Sequence, residues 1–97
     1  MWKMCKLPSG CNSLDNDELE ADAVSDVFDL LKAQIGKRLS VSSMVGLSSD
    51  SLAGEFTVDG VSLTLGWDIW SGVFIMAHDS GGNKILGEIS ALLMQNY

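Results

Sequence analysis

Asp22, Asp26 and Asp29 stand at i, i+4 and i+7, a spacing that stacks three carboxylates along one ridge of an α-helix. Like charges so placed cost a helix about 0.2–0.5 kcal/mol per pair. The ridge therefore either serves a basic partner or is a solvated charged face. A second group is the turn GWDIWSG, in which Trp67 and Trp70 flank Asp68. Tryptophan is enriched at binding hot spots, and a carboxylate beside it suits an Arg or Lys anchor. Trp67 shares strand parity with Leu63 and Leu65, which assigns it to the core. Asp68 and Trp70 remain as the candidate contacts of this turn.

The other chemically able residues form no recognisable constellation. His78 is the single histidine and precedes Asp79, but neighbours on a strand point to opposite faces. The segment Asp79–Lys84, DSGGNK, lies between a strand and a helix, where phosphate-binding loops lie. It has neither the GxxxxGK[ST] nor the GxGxxG pattern. It reads as a flexible connection with Ser80 or Asn83 capping the next helix. Cys5 and Cys11 have no Cys-x-x-Cys spacing, and two thiols alone do not make a zinc site. In a reducing compartment they are free thiols, and in an exported protein they could close a short disulfide loop. With no nucleophile–base pair and no paired acids, the expectation is a protein without enzymatic activity, cofactor or metal.

Charge narrows the partners. The 97 residues carry a formal net charge of −7, and beyond Arg38 only Lys84 is basic. Such a chain repels phosphate, so no nucleic-acid or membrane partner is expected. A basic protein is favoured, because opposite fields speed encounter. The beginning, Met1–Lys6, lacks a signal-peptide apolar core, and no apolar run approaches the roughly 20 residues needed to span a bilayer. A cytoplasmic location is the expectation.

The elements that position these residues are read from periodicity. Residues 1–13, with Pro8 and Ser9-Gly10, read as an irregular N-terminal arm. Residues 14–97 read as one α+β domain. A helix is expected from Ser13 or Asp15 to Gly36. Acids crowd its start, bases its end, and Val24, Val27, Phe28, Leu31 and Ile35 form an apolar stripe. Leu39–Val45 reads as a first strand. The stretch Gly46–Gly54 reads as a loop, whose Ser48–Ser51 could cap a helical turn. Glu55–Val58 and Val61–Trp67 are strands joined by Asp59-Gly60, a two-residue hairpin signal. Gly66 suggests a bulge or a close backbone approach. Val73–His78 is apolar on both faces, as in a strand covered on both sides. Lys84 to Gln95 is a final helix.

The expected fold is thus α+β: an N-terminal helix, a three- to four-stranded antiparallel meander and a C-terminal helix, both helices on one sheet face. The other face would carry Glu55, Thr57, Ser62, Thr64, Asp68, Phe74 and Met76. In size, acidity and want of a catalytic pattern the chain resembles small bacterial immunity or antitoxin-type proteins. The likeness implies a binding protein that neutralises a basic partner such as a nuclease toxin. The partner-binding residues would be Asp22, Asp26, Asp29, Asp68 and Trp70. The alternative is a self-associating structural or accessory subunit, a homodimer paired across Phe74 and Met76.

Overall fold

The computed structural model describes residues 2–47 and 51–96, with backbone alone for 42–47, 51, 52 and 96. Among the described residues, six strands form one antiparallel sheet, and two helices pack on it. The strands are β1 (Lys3–Lys6), β2 (Asn12–Asn16), β3 (Leu39–Leu47), β4 (Ser51–Val58), β5 (Val61–Asp68) and β6 (Gly72–Ala77). The helices are α1 (Ala23–Ile35), between β2 and β3, and α2 (Ser80–Asn96), after β6. The sheet order is β1-β2-β6-β5-β4-β3. The segment from β3 to β6 is a meander, and the β1–β2 hairpin joins its far side by pairing β2 with β6.

This corrects the expected strand count and the expected helix order. Ser13–Asn16 is strand rather than the first helical turn, and Lys3–Lys6 pairs with it. The physical reason is non-local. Leu14 lies opposite Ile75 and is fully buried. Ser13 and Asn16 are buried beside it, so β6 supplies the hydrogen bonds that a helix would have closed locally. Trp2 is buried too. The helix then begins only at Ala23, where the apolar stripe begins.

Elsewhere the periodicity is obeyed. Asp59 and Gly60 have φ of 54° and 81°, the left-handed pair that a tight hairpin requires. On the helix side of the sheet lie Phe56, Val58, Leu63, Leu65, Val73, Ile75 and Ala77, packed against Val24, Val27 and Leu31 of α1 and Ile85, Leu86, Ile89 and Leu93 of α2. Trp67 is half-buried against this core. Gly66 pairs in register with Ala53 and Phe74. The register shifts lie instead in β3, between Val41 and Ser43 and between Val45 and Leu47. Within the expected loop 46–54, Gly46 and Leu47 belong to β3 and Ser51–Gly54 to β4. The suggested helical turn at Ser48–Ser51 falls largely outside the described residues.

The glycines of DSGGNK belong to the first turn of α2. The Asp79 carboxylate, rather than Ser80 or Asn83, accepts the Gly82 N–H at 2.8 Å. Asn83 Oδ1 accepts the Asn12 N–H at 2.7 Å, tying α2 to β2. A Cβ on Gly82 would stand 2.9 Å from Ala77 Cβ, so helix and strand touch there through hydrogen.

A candidate binding cleft beside helix α1

The two helices do not cover the sheet evenly. Helix α2 packs on β6, β2 and β5, and α1 packs on β5. Toward β4, α1 reaches through Phe28, whose ring meets Phe56 edge to face at 6.4 Å. Beyond that contact a cleft of about 200 Å³ opens between α1 and strands β3 and β4. Its walls are mostly apolar: Val24 and Phe28 from the helix, Val41, Ala53, Phe56 and Leu65 from the sheet. Val41 is 46% exposed, so the apolar lining continues to the surface.

Three acidic residues, Asp22, Asp29 and Glu55, border the same cleft, although Glu55, opposite Thr64, belongs to the side-chain set of the helix-free face. Among the described residues no Lys or Arg borders it. Asp22, Ser25 and Asp29 recur at i, i+3 and i+7 and so share the flank of α1 next to its apolar stripe. Asp22 stands at the N-cap position of α1, yet its side chain makes no cap hydrogen bond. Asp26, the middle member of the expected ridge, is exposed and does not line the cleft. At about 100° per residue Asp26 lies about 40° round from Asp22, on the side away from Ser25 and Asp29. The structure thus brings together two of the three ridge aspartates and adds Ser25. The adjoining acidic and apolar positions along α1 were visible in sequence. The gap between α1 and β4 was not.

The turn residues lie apart from the cleft lining. Asp68 is half-buried and closes the β5–β6 turn, its Oδ1 accepting the Trp70 N–H at 3.0 Å and the Ser71 N–H. This is the Asx geometry that aspartate favours in turns. Trp70 is 79% exposed, above a shallow depression shared with Lys3, Cys5, Asp15, Asp17 and Ser71. Phe74 and Met76 are half-buried on the sheet face away from the helices. Phe74 lies opposite Asp15 and Gly66, and Met76 opposite Ser13 and Thr64. His78 Nε2 is 2.7 Å from Thr64 Oγ1 on that face, while Asp79 turns to the helix start.

A charge cluster closes the opposite end of α1. Arg38 Nη2 is 2.7 Å from Asp59 Oδ2, and its Nη1 is 3.0 Å from Glu88 Oε2. The hydrogen bond from Arg38 holds the Asp59 carboxyl below its usual range, and the two acids raise the guanidinium above its own. Arg38 is therefore occupied within the fold. No helix among the described residues is long and apolar enough to cross a membrane. Comparison of the chain with protein-family models, with curated proteins and with solved structures finds no match.

Proposed function

We propose that this protein is a non-catalytic binding module for a basic protein partner, and that the α1–β4 cleft is where it binds. One observation carries the reading: an apolar cleft and two aspartates of the α1 flank, Asp22 and Asp29, occupy the same place. Apolar walls favour an inserted aliphatic or aromatic side chain, and the acids favour Lys or Arg beside it. The net charge of −7 supports the same partner at longer range. Asp22 and Asp29 are the principal acidic contacts, and Trp70 is a separate, exposed anchor candidate. A basic toxin neutralised by this chain is one partner of that kind.

The test is site-specific photocrosslinking in the source cells, with a benzophenone amino acid in turn at Ser25, Trp70 and Phe74. The expected result is an adduct with a basic protein from Ser25, lost when Asp22 and Asp29 are both replaced by Asn. An adduct confined to Phe74 and formed with a second copy of the chain would replace this reading with self-association. That second reading is favoured by the half-buried Phe74 and Met76 on the helix-free face. No adduct at Ser25, with adducts elsewhere, removes the cleft from consideration.

A further inference from the structure

We infer that the partner's element is an amphipathic helix, seated in the cleft as a third helix beside α1 with basic residues seven apart facing Asp22 and Asp29. The inference rests on the reading of the cleft as a site for a basic protein and specifies what enters it.

Sheet width is the first argument. Six strands at about 4.8 Å spacing span about 24 Å from first to last. Helices pack about 8–10 Å apart, so two of them cover roughly four strands. Helix α2 takes β2, β6 and β5, and α1 takes β5 and the near side of β4. On the β3 side of the sheet, among the described residues, this leaves the helix-side surface at Val41, Gly54 and the outer edge of Phe56, about two strands wide.

Charge complementarity is the second. Asp22 and Asp29 are two turns apart, about 10.5 Å along the axis of α1. Neither carboxylate has a basic partner in the cleft lining. A helix laid alongside α1 meets both with Lys or Arg at its own i and i+7, and turns its apolar stripe to the floor.

The other occupants fit less well. A strand added to β3 would meet an edge interrupted by two register shifts, and bulges are a means by which sheets discourage edge pairing. A second copy of the chain would bring another −7 against the same acids.

The experiment uses synthetic peptides of one composition, Leu, Arg, Ala and Gln, in two orders. One order has Leu at helical period and Arg seven apart; the other alternates apolar and polar residues. Each is titrated into the isotopically labelled full chain and followed by amide NMR shifts and fluorescence anisotropy. The expected result is saturable binding of the helical order, with shifts concentrated at residues 21–29 and 53–56. The peptide gains helical circular dichroism on binding. The D22N/D29N double variant weakens binding by about tenfold or more, while D26N does not. Tighter binding of the alternating order, with shifts along Leu39–Leu47, overturns the helix and leaves the basic-partner reading standing. Shifts at the cleft that grow with protein concentration and no peptide assign it to a second copy and overturn the inference. Absence of cleft shifts with either order overturns both readings.

Discussion

Arg38 and Asp59 are bonded twice over, side chain to side chain at 2.7 Å and backbone to backbone, where the Asp59 N–H donates to the Arg38 carbonyl at 2.9 Å. This pairing links the exit of α1 to the β4–β5 hairpin. Glu88 extends it to α2, so one side chain joins three separately formed elements.

The pairing predicts an acid-sensitive contribution to stability. The Asp59 carboxyl is lowered in the fold from its ordinary value of 3.8. A group so lowered stabilises the fold fully above its unfolded pKa and loses that effect as pH falls through the folded pKa. Asp59→Asn should therefore be less stable than the parent at pH 7, with the difference shrinking below about pH 4. Both groups are partly exposed, so the effect is small and screened by salt. Urea unfolding across pH checks it, and a difference independent of pH would show that the ion pair does not contribute.

The N-terminal hairpin should behave as part of the core. Leu14→Ala is expected to cost about 2–5 kcal/mol, as for other fully buried leucines. A frayed arm at this place would lose almost nothing. The midpoint of urea unfolding, at constant slope, distinguishes the two.

Two glycines of α2 should respond in opposite directions. At Gly82 the added methyl meets Ala77 Cβ at 2.9 Å, and Gly82→Ala should destabilise by about 1–3 kcal/mol. At Gly87 nothing stands within 4 Å of the new Cβ. Gly87→Ala should stabilise by about 0.5–1 kcal/mol through helix propensity. Thermal unfolding of the pair tests the packing of α2 on β6 directly.

Asp68 and Trp70 should separate under mutation. Asp68→Ala removes the acceptor of two turn hydrogen bonds and should cost about 1 kcal/mol. Asp68→Asn keeps an acceptor and should recover most of it. Trp70→Ala, at a side chain 79% exposed, should change stability by less than about 0.5 kcal/mol. Stability loss at Trp70 equal to that at Asp68 would make the tryptophan a structural residue rather than a free surface.

Local pattern by itself determined the hairpin at Asp59-Gly60, the alternating strand β5, the apolar stripe of α1 and the placing of both helices on one face. Each is written within a few residues, in turn chemistry or periodicity, and survives whatever packs on it. The N-terminal strands were hidden for the opposite reason. In NSLDN only Leu14 is apolar, and the acids after it imitate a helix start. Strand β2 exists because β6, some sixty residues later, offers a free edge. The cleft likewise depends on where α1 crosses the sheet. Only packing could decide that Asp22, Ser25 and Asp29, rather than Asp22, Asp26 and Asp29, border an apolar surface, because a helix's own periodicity does not say which of its flanks a neighbour leaves uncovered.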